Sequence, residues 1–391
     1  MKHKNDIGEK SAGGADMTEK IDRADRSDAP EKINGGGEAI SGYCVARSLR
    51  WENGELYLLD QTRLPGEVIE ERQDSVAMVW DSIKRLKVRG APAIGIAGAY
   101  GLVIALKPLA GAGMDEYLAG AKSAAAYLAG ARPTAVNLGW ALNRCLTFVM
   151  SRAPQAADSA DLHRMLTAEA ERIHAEDRAI CRGIGESGEA LIRGGCGVLT
   201  HCNAGALATS ELGTATAPLY MAFAHGRHFR VYADETRPLL QGARLTSWEL
   251  QRAGLDVTLI CDDMAAYVMS KGLIDLCIVG CDRVAANGDF ANKIGTLGVA
   301  ILARHFSIPF YVACPSSTID LNTESGDGIP IEEREAWEVT SFGARRTAPE
   351  GVAVKNPAFD VTPNELVSGF ITEKGIIRPD YRATLARVVK G

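Results

Sequence analysis

The sequence predicts an α/β protein: a C-terminal Rossmann-like domain built on a parallel sheet, and a smaller N-terminal α+β domain with a short antiparallel sheet and helices. Two observations carry this. In the second half, apolar runs at Gly197 to His201, Phe229 to Ala233, Val257 to Ile260, Leu276 to Val279 and Pro309 to Ala313 alternate with helical patterns, notably Thr246 to Ala253 and Lys293 to Phe306. Parallel neighbours need a crossover connection, and a helix supplies it, so this rhythm builds a parallel sheet. In the first half, Val45 to Trp51 and Glu55 to Leu59 flank Asn53-Gly54, a dipeptide suited to a two-residue hairpin turn, and Val68 to Glu71 extends the sheet by a third strand.

The elements fall into three segments, 1–40, 41–180 and 181–391. Residues 1–40 hold six Gly, mixed charges and only isolated large apolar side chains, which cannot bury a core and predict a disordered tail. The tail lacks an apolar signal-peptide core and is too acidic for a transit peptide, so it predicts no export. After the hairpin, Asp74 is placed to cap a helix carrying Val76, Val79, Trp80 and Ile83 at helical spacing. Next comes Val88-Arg89-Gly90-Ala91-Pro92, with Pro92 suited to the first turn of a helix running to Leu106. That helix is so rich in Gly and Ala that another backbone must pack against it. Further helices are expected over Ala110 to Ala131 and, beyond Pro133, over Ala135 to Met150. A long amphipathic helix at 161–193 joins the two domains, its stripe running through Leu166, Ile173, Ile180, Ile184 and Leu191. Gly183-x-Gly185-x-x-Gly188 matches a dinucleotide fingerprint by letter, but helix-forming sequence precedes it where a strand is required. No NAD is expected.

Composition narrows the function. At 391 residues, 46% hydrophobic, 24% charged and a net charge of −6, the chain has the balance of a globular protein and no basic footprint for nucleic acid. Nine cysteines form no CxxC pair, and several lie in strand-like runs, as free buried thiols in a reducing cytosol do. Neither Cys277 with Cys281 nor His225 with His228 has a partner pair at zinc spacing, so no metal is expected. No run of about 18 apolar residues predicts a membrane span.

In an open parallel sheet, ligands sit outside the carboxyl ends of the strands. The stretch Asp275 to Thr296 therefore stands out: strand Leu276 to Val279 ends in a polar loop that opens a helix at about Asn292. Asp282, Arg283, Asn292 and Lys293 fall at that end. Asn287, Gly288 and Asp289 read as turn residues, whereas Asp282 follows the strand directly, where a carboxylate has little turn chemistry to do. Two more polar loops share the rim, at His201-Cys202-Asn203-Ala204-Gly205 and at Asp234 to Pro238. Cys202 is a candidate reactive thiol because small residues follow it and a helix start beyond it would stabilise a thiolate; His201, pointing to the opposite face, is expected to be structural. Arg89, beside the free amides of the Gly90 and Ala91 helix start, makes an anion seat. Arg132 precedes a helix in the same way and, taken alone, reads as a solvated charge.

The stretches SLRWENGELYLLDQTRLPGEV, VRGAPAIGIAGAYG, ARPTAVNL, LTHCNAGALAT, DETRPLLQGARLTSWEL and GCDRVAANGDFANKIGT resemble the methylthioribose-1-phosphate isomerase family, whose wider relatives include regulatory subunits of the translation-initiation nucleotide exchange factor. The resemblance spans residues 43 to about 372. It implies an aldose-ketose isomerisation of 5-methylthioribose 1-phosphate in methionine salvage by a cytoplasmic homodimer, with no metal or cofactor, no nucleic acid and no membrane. Carried onto this chain, it implies Cys202 and Asp282 as the catalytic pair. Substrate would be bound by Arg89, Gly90, Ala91, Arg132, Gln241, Asn292 and Lys293, of which Gln241 and Arg132 come from the resemblance alone. Two other readings stay open: a related sugar, 5-deoxyribose 1-phosphate or ribose 1,5-bisphosphate, and a non-catalytic ligand-sensing subunit.

Overall fold

The hairpin forms as its dipeptide dictates. Strands β1 (Leu49–Glu52) and β2 (Glu55–Leu59) pair antiparallel from Leu49 opposite Leu58 to Glu52 opposite Glu55, and Asn53 and Gly54 both take positive φ, as a type I′ turn demands. Strand β3 (Glu70–Arg72) adds to β2. These elements come from a computed structural model, which describes residues 44–133 and 135–390; the tail expected at 1–40 lies outside the described residues.

Five helices follow: α1 (Val76–Lys84), α2 (Ala91–Leu106), α3 (Met114–Ala129), α4 (Val136–Arg152) and α5 (Ser159–Gly188). The cap of α1 is Ser75, whose hydroxyl accepts from the Met78 amide, and not Asp74; the chain enters the helix one residue later than expected. The first core gathers around α2, with Val79, Ala97, Tyr100, Leu138, Leu142, Leu166 and Ile173 in one cluster. Close approach explains the small residues of α2: a Cβ on Gly98 would lie 2.5 Å from Leu138 Cδ1, and one on Gly95 would lie 3.0 Å from the Asn137 carbonyl oxygen. With the turn after it, Ala91–Leu109 is the one candidate among the described residues long and apolar enough to cross a membrane, and 67% of that window is buried in the protein. Position 180 falls inside α5, whose Leu162, Leu166 and Ile173 join the first cluster while Cys181 and Ile184 join another. Gly183, Gly185 and Gly188 are helical, and a Cβ on each would press on Glu373, Met221 and Pro218 respectively. They are packing glycines.

The large sheet takes strands β4 (Gly197–Thr200), β5 (Arg230–Asp234), β6 (Asp256–Ile260) and β7 (Leu276–Val279), joined in turn by helices α6 (Ala217–Ala224), α7 (Ser247–Arg252) and α8 (Ala265–Ser270). A hairpin of β8 (Arg283–Ala285) and β9 (Phe290–Lys293) follows, then helix α9 (Thr296–His305) and β10 (Phe310–Ala313). Short strand β11 (Ile319–Asp320), the two-residue pair β12 (Ser341–Phe342) and β13 (Arg345–Arg346), then β14 (Phe359–Thr362), β15 (Gly369–Thr372) and β16 (Gly375–Ile377) complete the set. The seven-stranded order is β16-β15-β10-β7-β4-β5-β6, parallel throughout except for β16 at one edge.

One expectation fails here. No helix opens at Asn292: Phe290 to Lys293 is strand, paired antiparallel with β14 so that Asn292 lies opposite Asp360, and the helix begins at Thr296. Asp360 caps it, accepting from the Gly295 and Leu297 amides at 2.8 and 3.1 Å.

Candidate active site

The strand order places the site. The chain runs from β4 outward through β5 and β6, then crosses back to β7 on the other side of β4 and proceeds to β10 and β15. The connections leaving β4 and β7 diverge, and such a switch point opens a crevice outside the carboxyl ends of the two strands. Cys202 follows β4 and Asp282 follows β7, strands paired at Leu199 and Cys277.

Cys202 is held from both sides of its peptide unit. It is 7% exposed with φ 64°, its amide donates to Thr236 Oγ1 at 2.8 Å, and its carbonyl accepts from Thr246 Oγ1 at 2.5 Å. A non-glycine residue at positive φ is uncommon and is retained where surrounding structure fixes it. Burial pushes the thiol above its usual range, opposed by the charges of Arg89 and Lys293. The expected thiolate-stabilising helix is absent: a single turn of 3-10 helix, Ala206–Ala208, follows the thiol, and the next α-helix is α6.

Asp282 is open to solvent at its surface, yet the protein packed around its carboxyl is enough to desolvate it. Its carboxyl is raised by burial, with Lys293, Arg89 and Arg132 pulling it back and Glu332 adding to the rise. The direction is the one expected of an acid kept protonated. Its backbone is fixed by its amide donating to the Ala291 carbonyl at 2.9 Å.

Three cations thus act on one carboxyl, each from a different element. Arg89 precedes α2, and its guanidinium donates through Nη1 to Asn203 Oδ1 at 2.6 Å and through Nη2 to the Asn203 carbonyl at 2.9 Å. Gly90 sits at φ 90° against the loop after β4, where a Cβ would lie 2.4 Å from the Ala208 carbonyl oxygen. Among the described residues no side chain caps the α2 amides that begin at Ala91. Arg132 is half-buried; desolvation lowers its pKa, against the pull of Glu332 and Asp282. Lys293 rests its ammonium on the Ala358 carbonyl at 3.0 Å and 4.7 Å from the Phe359 ring centre. Asn292 is buried and donates to Thr296 Oγ1 at 2.9 Å. Gln241, 7% exposed at the head of the π-helical turn Gly242–Thr246, leaves its buried Oε1 without a hydrogen-bond partner.

His201 and Asp289, also on this rim, spend their polar atoms on contacts within the protein. His201 is buried, with Nδ1 3.0 Å from Asp234 Oδ2 and Nε2 donating to the Ile294 carbonyl at 2.8 Å. Its pKa is raised: burial opposes the charged form, but the Asp234 contact, the Ile294 bond and the nearby Asp262 outweigh it together. Asp289 accepts from Gly326 and Asn364, so the turn after β8 ties the hairpin to distant loops. His201, Asp234 and Asp262 bring potential metal-ligand atoms within 4.8 Å of one another. Both imidazole nitrogens are already engaged, and both Asp262 oxygens accept amides, from Thr236 and Arg237 at 2.7 Å each.

Sequence reasoning put Asn203 and Thr236 in rim loops without a role and missed Glu249 and Thr246; all four make the contacts that hold Cys202 and Arg89. Glu249 left a signal: Leu245, Glu249 and Ala253 recur four apart, and all three are buried, so a charged residue stands on the inward face of a helix. Glu332 left none, because only the fold brings it to Arg132.

Comparison with known proteins bears on this arrangement. The model of the initiation factor 2 subunit family matches residues 87–379. A 5-deoxyribose 1-phosphate isomerase of Moorella thermoacetica is 55% identical over 343 residues, covering 88% of this chain and 97% of the relative. One from Bacillus thuringiensis is 53% identical over 340 residues, covering 87% and 97%. Among solved structures, the 5-methylthioribose 1-phosphate isomerase of Pyrococcus horikoshii superposes with a TM-score of 0.85 at 42% identity, covering 88% of this chain and 96% of that one. The delta subunit of translation initiation factor eIF-2B from A. fulgidus superposes at 0.82 with 44% identity, covering 88% and 99%.

Proposed function

Because the chain belongs to the initiation factor 2 subunit family, and its relatives within that fold include isomerases of sugar 1-phosphates, we propose that it is itself a sugar-phosphate isomerase, converting an aldose 1-phosphate to the ketose 1-phosphate. What supports this reading is that Cys202 and Asp282 follow the neighbouring strands β4 and β7 at the switch point, with Asp282 acting on the thiol and Arg89, Arg132 and Lys293 acting on the carboxyl. We take 5-deoxyribose 1-phosphate as the first substrate, ahead of the methylthio sugar that the sequence motifs favoured, since the relatives at 55% and 53% identity bear that name. The methylthio sugar, and with it a place in methionine salvage, is the second reading, supported by the Pyrococcus horikoshii structure.

The chemistry suits these groups. A sugar phosphorylated at its anomeric carbon does not open by itself, so an acid must give a proton to the ring oxygen as the C1–O bond breaks. Asp282 takes that role, its burial keeping the proton on the carboxyl nearer neutral pH. Hydrogen then leaves C2 for C1, and the C2 hydroxyl gives its proton to the carboxylate that ring opening left on Asp282, leaving the ketone and restoring the acid. Cys202 either accepts the C2 proton as a thiolate, which the charges of Arg89 and Lys293 favour and burial opposes, and returns one to C1, or stands as the neutral thiol beside an electron-poor centre while the hydrogen moves as hydride. Arg89, the amides of Gly90 and Ala91, and Lys293 hold the phosphate and spend its binding energy on geometry at C1 and C2.

The test is kcat/KM of the purified protein on 5-deoxyribose 1-phosphate, 5-methylthioribose 1-phosphate and ribose 1,5-bisphosphate. Preference for the 5-deoxy sugar supports the first reading and preference for the methylthio sugar the second. Saturable binding of a sugar phosphate with no turnover of any would replace both with a ligand-sensing role. Turnover in deuterium oxide separates the two routes: solvent deuterium at C1 of the product marks proton transfer, and retention of the C2 hydrogen marks hydride transfer.

A further inference from the structure

We propose that Glu249 is a positioning residue for the phosphate clamp, acting on Arg89 through Asn203. The inference rests on the sugar-phosphate reading and adds to it a residue outside the thiol, the carboxyl and the cations.

Glu249 belongs to the short helix α7 and is fully buried. Its Oε2 accepts from the Leu207 amide at 3.0 Å, and its Oε1 accepts from Asn203 Nδ2 at 3.3 Å. Asn203 also donates to Thr246 Oγ1 at 3.1 Å, so its amide nitrogen is committed inward and its oxygen is turned outward to Arg89 Nη1. The carboxyl lies in space that only a glycine leaves: a Cβ on Gly205 would come within 1.4 Å of Oε1. Leu207 in turn accepts from Gln61, and its neighbour Ala208 is the wall against which Gly90 is pressed. One side chain therefore fixes the loop that grips Arg89 at one end and Gly90 at the other.

Burial pushes this carboxyl up to about 8, and the Leu207 amide, the Arg89 charge and the Asn203 amide restrain it. Carboxyl oxygens accept hydrogen bonds with or without the proton, so the orientation of Asn203 holds in both states. A glutamine cannot do this. With its oxygen on the Leu207 amide, its NH2 would face the NH2 of Asn203, and relief of that clash turns Asn203 over, presenting a donor to a guanidinium.

Glu249→Gln, at nearly unchanged volume, is expected to raise KM at least tenfold while changing kcat less than threefold, with an unaltered circular dichroism spectrum. The double variant Glu249→Gln with Asn203→Asp restores the order of donors and acceptors: the new amide at 249 donates to the new carboxylate at 203, which again accepts from Arg89. It is expected to recover at least threefold of the lost KM. Asn203→Ala, which cuts the link and leaves Glu249 on Leu207, serves if Glu249→Gln does not fold, and it too is expected to raise KM tenfold. A KM within twofold of wild type in Glu249→Gln or in Asn203→Ala overturns the proposal, as does a double variant no better than Glu249→Gln. Wild-type turnover tests the proposed function alone. The variant-to-wild-type ratio tests this inference and is read also as the Kd of inorganic phosphate, so the two fail separately.

Discussion

Cys202 and Asp282 are each held through their backbone by neighbouring elements, and the proposed isomerisation assigns the chemistry to their side chains. Cys202→Ser and Asp282→Asn are each expected to lower kcat by about 10²- to 10⁴-fold, the range general acid-base groups contribute, with the melting temperature kept. Full activity in either variant removes that residue from the mechanism. Arg89→Ala gives up charge-assisted hydrogen bonds and is expected to raise KM by about 10- to 100-fold, measured by steady-state kinetics on the sugar phosphate. Glu249 makes a prediction for stability. Its folded pKa of about 8 stands above the ordinary glutamate value, so the folded protein keeps a proton that the unfolded chain has lost. Stability from this group is therefore highest below the unfolded value and falls as pH rises toward the folded one. The expected slope is about 1.4 kcal/mol per pH unit between roughly pH 5 and 8. Denaturant titrations across that range should show a shallower decline in Glu249→Gln than in wild type.

At the scale of elements, the site depends on close approach of two loops from opposite halves of the sequence. Gly90→Ala would place a Cβ 2.4 Å from the Ala208 carbonyl oxygen at a positive φ. The backbone term alone costs about 1–3 kcal/mol, and a drop in melting temperature with loss of phosphate binding is expected. Much of this was legible in the sequence. The Asn53-Gly54 turn, the Gly- and Ala-rich helix from Ala91 and the parallel strands each follow from local spacing, and the loops bearing Cys202 and Asp282 follow from the rule about strand ends. Non-local pairing hid the rest. Asn292 and Lys293 are strand only because β14, far along the chain, lies beside them; read locally, Gly and Asn before an apolar stretch look like a helix start. Ser75 won the cap from Asp74 because its hydroxyl, one residue later, reaches the Met78 amide. Arg132 read as a solvated charge because Glu332 and Asp282, whose charges act on it, are far from it in sequence.

For the whole molecule, removal of residues 1–40 is expected to leave kcat/KM and melting temperature unchanged, and a large loss in either would give the segment a structural role. We expect a homodimer, checked by sedimentation of the full chain. The burial of α2 also sets an order of events during synthesis. Its apolar run ends at Leu109, while the packing partners in α4 and α5 extend to Gly188. At roughly 5–20 residues per second, a ribosome needs on the order of 4–16 s to cover that interval, during which the most apolar helix among the described residues has emerged without the part of its cover that α4 and α5 supply. Chaperones that hold nascent chains should therefore crosslink to translation products arrested shortly after α2 has left the exit tunnel, and should be released once α5 has followed it out.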